Sequence, residues 1–278
     1  MHELTVSIVV YKNDQAEIEL LLQGLQQNKS VLWVVVDNGA SDAVRDAVQK
    51  MGGIYVRPGT NLGFGRGHNL ALKHLANVDA PYHLILNPDI SWEGDALGRL
   101  AAVLEQNPDV GLVMPKVVCP DGSNQYLCKL LPAPVDLVLR RFAPGIIKRF
   151  AQRRMAALEL RNFDYNMPAH IPWLSGCFMF TRRSVLDAVG GFDERFFLYM
   201  EDVDLCRRMG ARSKLLYWPE VTVTHGHQKT SYKNFRALML HIVSAVKYFN
   251  KWGWIFDPER RQANRQAIAE LRAKGQDV

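Results

Sequence analysis

The residues of this sequence best suited to chemistry are carboxylates that follow apolar runs. Asp89 follows Leu84, Ile85 and Leu86, a run that predicts a strand buried on both faces. Pro88 cannot donate to a strand ladder, so it ends that strand. A carboxylate at the carboxyl end of a central strand suits a divalent cation that holds phosphates, because hard cations take oxygen ligands. A simple Pro-Asp turn is the alternative interpretation.

Two further polar stretches follow predicted strands in the first half of the chain. Asp37 ends the second predicted strand, where its carboxylate can accept from a nucleobase imide N–H or cap the turn predicted by Asn38 and Gly39. Residues 61–69 hold three glycines ahead of a predicted helix, and backbone N–H groups at a helix start suit phosphate. Close helix–sheet packing explains the same glycines, and their spacing is not the dinucleotide-binding GxGxxG. Both interpretations of each stretch stay open.

Three carboxylates, Glu201, Asp202 and Asp204, come directly after an aromatic run. Acids in the first turn of a helix are favoured by its dipole, which gives them a purely structural explanation. Burial behind the preceding apolar residues would instead raise a carboxyl pKa and make the group a better base. Adjacent residues project in different directions, so one acid serves as base, and Asp204 is predicted to pair with Arg207 or Arg208.

His225 ends another predicted strand, and a neutral imidazole at that position could ligate a metal ion. A histidine without neighbouring ligands is more often structural, so this interpretation depends on what lies nearby. Lys229, Lys233 and Arg236 follow closely and could face a diphosphate, although a solvated cationic surface explains them equally well.

A basic amphipathic segment lies between residues 140 and 154, where cations alternate with apolar side chains and no acid interrupts them. Such a segment is typical of a membrane-surface element, and an ordinary exposed helix is the alternative. The cations are Arg140, Arg141, Lys148, Arg149, Arg153 and Arg154, and the apolar residues include Phe142, Ile146, Ile147 and Phe150.

The composition describes an ordinary globular protein of 278 residues, with 48% hydrophobic and 22% charged residues. The net charge of +6 fits anionic substrates or a membrane surface and does not imply nucleic acid. The four cysteines are scattered without a CxxC pair, which disfavours a zinc site or a disulfide framework and predicts a cytoplasmic protein. The sequence shows no signal-like segment and no apolar run of about 18 residues, so we expect no span of a bilayer.

Strand and helix patterns alternate through residue 118, which predicts βαβ units and a mostly parallel sheet. Predicted strands cover 4–11, 31–36, 53–57, 84–86 and 110–118, and predicted helices cover 18–25, 43–51, 65–76 and 96–105.

The second half has a different pattern. Residues 119–170 carry several prolines and weak periodicity. Strands are predicted over 173–181, 214–218 and 221–225, and helices over 184–189, with Ser184 as N-cap, and over 202–209. Phe235, Leu238, Ile242, Val246 and Phe249 form one stripe of a long helix, and the polar tail 258–278 predicts a peripheral helix.

Taken in order, these stretches resemble the inverting family 2 glycosyltransferases of the GT-A fold, in the bacterial rhamnosyltransferase-like subgroup. The resemblance covers about residues 5–250 and rests on 7–11, 35–42, 61–69, 86–89, 173–177 and 197–204. It implies an α/β fold with a mostly parallel central sheet flanked by helices. The implied organisation is a nucleotide-sugar-binding half over 1–118, an acceptor-binding and catalytic half over 119–250 with the basic insert near 129–161, and a helical tail over 251–278.

The resemblance also implies a role for each matching residue. Asp202 would be the general base, and Asp89 with His225 would hold a divalent cation, Mg²⁺ or Mn²⁺. Asn87 stands where the metal-binding motif of the family often has a first aspartate. The implied acceptor-binding residues are Glu201, Trp173, Ser175 and Gly176. The implied nucleotide-sugar-binding residues are Tyr11, Asp37, Asn38, Gly65, Gly67, Asn69, Asn87, Lys229 and Arg236.

The implied reaction moves L-rhamnose from a dTDP-sugar onto a hydroxyl of a lipid-linked or saccharide acceptor, for a cell-surface polysaccharide, with peripheral contact to the cytoplasmic face of the inner membrane. A sugar nucleotidyltransferase is one alternative, but it would need a basic glycine-rich stretch after the first strand, and residues 11–14 are Tyr-Lys-Asn-Asp. A non-catalytic sugar-nucleotide-binding protein is the other, and Asn87 is its support.

Overall fold

A single nine-stranded sheet runs through the part of the chain that the computed structural model describes, residues 3–28, 30–142, 148–226 and 235–278. Its strands are β1 (Leu4–Val10), β2 (Val31–Asp37), β3 (Ile54–Val56), β4 (Tyr82–Leu86), β5 (Ile90–Trp92), β6 (Val110–Val118), β8 (Ala169–His170), β10 (Phe178–Arg182) and β11 (Lys214–His225). The strand order is β3-β2-β1-β4-β10-β6-β11-β5, with β8 paired to β11. A separate small ribbon pairs β7 (Cys128–Lys129) with β9 (Trp173–Leu174).

Helices cover both faces of the parallel part of the sheet. Trp33 and Val35 of β2 join the core under the first helices, whereas Val34 and Val36 pack against Ala71 on the opposite face. This division follows from the alternation of side chains along a strand. The helices are α1 (Gln15–Gln26), α2 (Asp42–Lys50), α3 (Phe64–His74), α4 (Ala96–Gln106), α5 (Pro134–Phe142), α6 (Lys148–Leu158), α7 (Arg183–Ala188), α8 (Glu201–Gly210), α9 (Phe235–Trp252) and α10 (Pro258–Ala273).

The strand that ends before Asp89 is confirmed as a fully buried central strand. Leu84, Ile85 and Leu86 each have no exposed surface, and β4 ends at Leu86, two residues before Pro88. β4 pairs in parallel with β1 on one side and antiparallel with β10 on the other. The carboxyl ends of β1, β2 and β4 therefore meet at one edge of the sheet.

The strands of the second half complete the same sheet. β10 inserts antiparallel between β4 and β6, and β11 pairs in parallel with β6. The sheet thus continues across residue 118, while the assignment of separate binding roles to 1–118, 119–250 and 251–278 stays a prediction.

The predicted strand over 173–181 is wrong, because the structure divides it into β9 and β10. Residues 175–177 lie outside both strands. Two of their backbone groups bond to residues of the candidate site. The N–H of Gly176 donates to Asp202, and the carbonyl of Cys177 accepts from the N–H of Asn87. This interruption brings the segment into the candidate site.

Two smaller corrections concern element ends. α7 begins at Arg183, so Ser184 is not its N-cap; the N-cap is Arg182, which makes no side-chain capping bond. The strands predicted over 214–218 and 221–225 form the one strand β11, with a register shift between Trp218 and Thr222. The shift falls at Pro219, which has no N–H to donate to a ladder.

The stretch 119–170, which gave weak periodicity, contains α5, α6 and short strands. Within the predicted basic segment, Arg154 forms an ion pair with the buried Asp136, and Phe150 is exposed. The side chains at 140–142 and 148, and residues 143–147, lie outside the described part of the chain.

The long helix is confirmed as α9, but its apolar stripe is not a core stripe. Phe235, Ile242 and Val246 are exposed, whereas Phe249 is buried. The tail helix is confirmed as α10, which buries Leu271. Among the described helices, none has both the length and the apolar character needed to cross a bilayer.

Candidate active site

Asp202 lies in the first turn of α8, and its carboxylate is held by three N–H groups. Oδ2 accepts from Trp173 Nε1 at 3.1 Å and from the Gly176 N–H at 3.2 Å, and Oδ1 accepts from the Val203 N–H at 2.8 Å. The helix dipole also favours a negative charge here. The carboxylate is therefore fixed in one orientation, between α8 and the segment that joins β9 to β10.

The backbone that delivers Asp202 is strained. Tyr199 and Met200 both have left-handed φ angles, 70° and 66°. Side-chain-bearing residues adopt this region at a cost of about 1–3 kcal/mol each, and such residues concentrate at functional sites. Gly176 approaches closely from the other side, since a Cβ there would lie 3.1 Å from Asp202 Cβ. A residue larger than glycine would press on the carboxylate.

Glu201 differs sharply from its neighbour. It is buried, and its Oε2 has no hydrogen-bond partner among the described residues. Burial, followed by repulsion from Asp202, raises the pKa of Glu201 to about 8. The structure therefore places a predominantly protonated acid behind the candidate base, and the acceptor-binding role of Glu201 stays a prediction.

Asp204 has a structural role, as predicted. Its fully buried carboxylate accepts from Arg208 at 2.7 Å, from Lys251 at 2.6 Å and from Trp252 Nε1 at 2.8 Å. The predicted pairing with Arg208 is confirmed, while Arg207 pairs with Asp257 instead. These contacts join α8 to the end of α9.

Asp89 and His225 come together because β5 pairs antiparallel with β11. Ile90 lies opposite His225 in that ladder, and the Gly226 N–H donates to the Asp89 carbonyl at 2.8 Å. His225 Nε2 lies 3.2 Å from Asp89 Oδ1 and 3.3 Å from Asn87 Nδ2. Asn87, Asp89 and His225 are therefore neighbours.

Gln125 fixes the imidazole of His225. Its Nε2 donates to the His225 carbonyl at 2.9 Å, which turns its Oε1 toward His225 Nδ1 at 2.8 Å. An amide oxygen accepts, so in the neutral ring Nδ1 carries the proton and Nε2 presents its lone pair toward Asp89. Histidines that ligate metals are held in this way by a partner on the other nitrogen.

The donor atoms of this cluster fit a divalent cation. Two ligands of an octahedral Mg²⁺ lie about 3 Å apart, which matches the 3.2 Å between Asp89 Oδ1 and His225 Nε2. Within the described residues, no group of three His, Cys, Asp or Glu side chains is placed to hold a metal ion.

Cys177 lies between the cluster of Asn87, Asp89 and His225 and the carboxylate of Asp202. Its neighbour Gly176 donates to Asp202, and its own carbonyl accepts from the Asn87 N–H at 2.9 Å. Burial raises the pKa of the Cys177 thiol to about 12, and the charges of Asp89 and Asp202 both add to that rise. The charges of both carboxylates thus reach the same thiol, and Asp202 is tied to the segment next to it through Gly176.

Asp37 and its neighbours lie at the ends of β1 and β2. The Asp37 carboxylate accepts four hydrogen bonds, from the N–H groups of Gly39, Ala40 and Ser41 and from the Tyr55 hydroxyl. It is 1% exposed, and four bonds fill its acceptor capacity. Turn capping, one of the two interpretations open from the sequence, therefore accounts for Asp37 in this arrangement.

Two more residues of the predicted nucleotide pocket lie beside that turn. Tyr11 is 48% exposed, and its Cα would lie 3.7 Å from a Cβ built on Gly39. The Asn38 side chain donates to the Gly63 carbonyl and accepts from the Leu62 N–H. Asn38 therefore ties the turn to the glycine-rich stretch.

The glycine-rich stretch packs tightly against the rest of the fold. A Cβ on Gly65 would meet Phe192 at 3.0 Å, and a Cβ on Gly67 would meet Val9 at 2.7 Å. The Asn69 amide donates to the Phe192 carbonyl and accepts from the Phe192 N–H. Packing accounts for all three residues, and their contact with a nucleotide-sugar stays a prediction.

Three predicted site residues are less well defined. Ser175 is half-buried next to Gly176. Arg236 is exposed in the first turn of α9, and Lys229 lies outside the described residues. The contact of Arg236 with a nucleotide-sugar stays a prediction.

Gln125 and Tyr55 are two residues of the candidate site that the sequence does not predict. Gln125 lies in a stretch without periodicity, and nothing in the sequence connects it to a histidine 100 residues later. Tyr55 lies in a short predicted strand. The parallel pairing of that strand, β3, with β2 brings the Tyr55 hydroxyl near Asp37, and this pairing is the signal that could have identified it.

The sequence is similar to proteins that transfer sugars. The family model described as glycosyl transferase family 2 matches residues 6–190. The N-acetylglucosaminyl-diphospho-decaprenol L-rhamnosyltransferase of Mycobacterium tuberculosis is 31% identical over an alignment of 214 residues, with 72% of this chain and 68% of that protein covered. The rhamnosyltransferase WbbL of Escherichia coli is 26% identical over an alignment of 254 residues, with 87% of this chain and 90% of WbbL covered.

Solved structures share the fold. The mannosyltransferase PcManGT from Pyrobaculum calidifontis, in complex with GDP-Man and Mn²⁺, gives a TM-score of 0.57 at 19% identity, covering 98% of this chain and 75% of that one. Staphylococcus aureus TarS 1–349 in complex with UDP-GlcNAc gives 0.59 at 16% identity, covering 96% and 71%. The expected GT-A fold is confirmed. On the match of its sequence, the chain belongs to glycosyl transferase family 2.

Proposed function

We propose that this protein transfers L-rhamnose from a dTDP-sugar to a hydroxyl of a lipid-linked saccharide, with inversion at the anomeric carbon. The printed names of its relatives, an L-rhamnosyltransferase acting on a decaprenol diphosphate sugar and WbbL, support the sugar and the acceptor class. The observation that carries the proposal is the fixed Asp202 carboxylate, held by Trp173 and Gly176 beside the segment that also contacts Asn87.

The chemistry is a single displacement. Asp202 takes the proton of the acceptor hydroxyl as its oxygen bonds to the anomeric carbon. The bond from that carbon to the diphosphate oxygen breaks, and its electron pair leaves with the nucleoside diphosphate. Trp173 and Gly176 donate to Oδ2, so the other carboxylate oxygen is the better placed to accept the proton.

Asp89 and His225 are the residues that would hold a divalent cation, with diphosphate oxygens and water completing its ligands. When bound, that cation would neutralise charge on the departing diphosphate. Gln125 keeps His225 in the tautomer that such a cation needs, and Asn87 supplies an amide beside it.

Tyr11, Asp37 and Asn38 would form the base-recognising end of the donor pocket. A direct hydrogen bond from a nucleobase to Asp37 requires the Tyr55 hydroxyl to turn away, because the carboxylate already accepts four hydrogen bonds. Gly65, Gly67, Asn69, Lys229 and Arg236 stay predicted contacts of the same donor. We further propose a peripheral position on the cytoplasmic face of the membrane that supplies the acceptor.

The test is transfer from a panel of nucleotide-sugars to a lipid-linked acceptor by Asp202→Asn. Asparagine preserves the acceptor oxygen for Trp173 and Gly176 but cannot take a proton, so kcat should fall about 10²–10⁴-fold. Binding of dTDP-rhamnose, measured by calorimetry with and without Mn²⁺, should change little. The surface variant Asp187→Asn, in α7, is the control and should keep wild-type turnover.

Near-wild-type turnover by Asp202→Asn would contradict the assignment of the base. Release of pyrophosphate from a nucleoside triphosphate would instead identify a nucleotidyltransferase. Tight donor binding without transfer to any acceptor would identify a non-catalytic binding protein.

A further inference from the structure

The outer side of α9 carries an apolar stripe that faces away from the protein. Met239, Ile242, Val243 and Val246 form this α9 stripe, and each is 40–44% exposed. Single exposed apolar residues are normal on a protein surface, but a contiguous row is not. A contiguous exposed row of this kind indicates a contact surface, whereas single exposed apolar residues do not.

A second exposed apolar group follows α9 directly. Trp254, Ile255 and Phe256 form a turn, and Ile255 and Phe256 are 70% and 82% exposed. At about 100° per residue, Asn250 lies on the same side of α9 as the stripe. Trp254 Nε1 donates to Asn250 Oδ1 at 2.8 Å, so the turn continues the line of the stripe. Together they make one elongated apolar surface.

The opposite side of α9 packs against the segment that precedes Asp202. Ser244 Oγ donates to the Leu198 carbonyl at 2.8 Å, and the Tyr199 and His241 rings lie 5.1 Å apart. The apolar surface is thus the outer face of the helix that supports this segment. A bilayer that contacts this surface would hold the lipid-linked acceptor on the side of the molecule where the segment preceding Asp202 lies.

The charge around the apolar surface is positive. No Asp or Glu occurs between residues 221 and 256 of the sequence, whereas α9 contains Arg236 and Lys247. A third cation of α9, Lys251, is already paired with Asp193 and Asp204 and does not contribute to this surface. Beside the turn, Phe256 lines a groove of about 600 Å³ together with Arg261 and Arg265. The Arg261 guanidinium donates to the Ile255 carbonyl at 3.3 Å, which holds a cation at the base of the exposed turn.

We propose that the α9 stripe and the 254–256 turn dock on a bilayer surface containing anionic lipid. Apolar side chains and an exposed Trp-Ile-Phe turn suit the boundary between headgroups and acyl chains, and cations beside them suit anionic headgroups. A second copy of the chain is the weaker alternative. A two-fold interface would place the same cations against each other, with no acid in this stretch to pair with them.

This surface is distinct from the basic segment at 140–154, which stays a separate prediction and in which Arg154 is paired with Asp136. The orientation toward a lipid-linked acceptor rests on the proposed function. The docking itself does not, because vesicle binding can be measured without any sugar transfer.

The test is flotation of the full-length protein with vesicles of phosphatidylcholine alone or mixed with phosphatidylglycerol. Two double variants place acids on the surface: Ile242→Glu with Val246→Glu, and Ile255→Glu with Phe256→Glu. Each should lower the partition onto anionic vesicles at least about tenfold, because an acid opposes both insertion and headgroup contact. Leu20→Glu in α1 and Phe150→Glu in α6 replace exposed apolar residues elsewhere on the surface, whose exposure lies between those of the two tested pairs, and should keep wild-type binding.

Wild-type protein that stays unbound, or double variants that bind like wild type, would overturn the proposal. So would loss of binding in Phe150→Glu alone, or a wild-type dimer in light scattering that the double variants convert to monomer. Thermal unfolding shows that each variant is folded, and either folded double variant suffices for the test. Transfer to a water-soluble short-chain acceptor should be unchanged in the double variants; if wild type transfers no sugar, the proposed function fails while flotation still decides the docking.

Discussion

Two adjacent acids at the start of α8 have opposite environments. Asp202 is half-buried and accepts hydrogen bonds from three N–H groups. Glu201 is buried with one oxygen lacking a partner in the described part of the chain, which destabilises its charged form. The two neighbouring carboxyls therefore differ in environment: Asp202 is held by three N–H groups, whereas burial raises the pKa of Glu201.

The protonated Glu201 makes stability depend on pH. Its folded pKa of about 8 lies above its ordinary 4.5, so between these values the folded state binds a proton that the unfolded state has lost. The free energy of unfolding must then fall as pH rises through this window. Glu201→Gln, which mimics the protonated acid, should gain about 1–3 kcal/mol over wild type from pH 5 to pH 8, measured by urea unfolding.

The control for this pH effect is Glu105→Gln, which changes an exposed glutamate near the end of α4. Its free energy of unfolding should follow the wild-type pH dependence. A Glu201→Gln curve parallel to wild type over the whole window would show that Glu201 is ionised in the folded protein.

The sequence predicted the acids of the site better than their supporting residues. Asp37, Asp89 and Asp202 could be found because each follows an apolar run, which marks the end of a strand or the start of a helix. Gln125 and Tyr55 could not be found in this way. Gln125 contacts His225 at the end of β11, 100 residues later in the chain. Tyr55 contacts Asp37 at the end of β2, which is brought near only by strand pairing in the sheet. A hydrogen bond between two polar side chains produces no periodic pattern in the sequence from which it could be predicted.

At the scale of elements, a buried ion pair fixes α8 to the start of α10. Arg207 contacts both carboxylate oxygens of Asp257, at 2.7 and 2.9 Å, and its guanidinium stacks 3.9 Å from the Trp252 ring centroid. Both side chains of the pair are nearly inaccessible to solvent. Removing Asp257 leaves the buried Arg207 with only the exposed Glu259, at 3.5 Å, as a counter-charge, which is more costly than losing both partners of the pair.

Asp257→Ala should therefore lower the free energy of unfolding by about 3–5 kcal/mol, measured in urea. Asp257 also caps α10 by accepting from the Arg260 N–H, so part of this loss is a capping effect. Asp95→Ala removes a comparable cap from the exposed start of α4 and should cost about 1 kcal/mol. Equal losses in the two variants would show that the buried pair contributes nothing beyond the cap.

Helices and parallel strands were predictable because each carries its own apolar period. The position of β10 was not, because a short apolar run shows neither its neighbours nor its direction. The strand predicted over 173–181 failed for a related reason: Gly176 and Cys177 are apolar enough to continue the pattern but bond to Asp202 and Asn87. These two hydrogen bonds interrupt the strand, although the apolar pattern continues through it.

At the scale of the whole molecule, the strand order makes the two predicted halves depend on each other. β6 belongs to the first half by sequence, yet in the described structure its partners are β10 and β11 from the second. β4 likewise pairs with β10 along its whole length, from Leu86 opposite Phe178 to Tyr82 opposite Arg182. The central part of the sheet is assembled from segments about 100 residues apart.

A fragment of residues 1–118 should consequently fail to fold by itself. Without β10 and β11, β6 has no partner strand from the described sheet, and the apolar side chains of β4 face an open edge. We expect no cooperative urea transition and strong binding of a hydrophobic dye. Residues 119–278 added in trans should restore the transition, because they supply both missing strands. A sigmoidal transition of the fragment alone, with wild-type Trp33 fluorescence, would instead show that β1 to β4 form an independent folding unit and that the second half docks onto it.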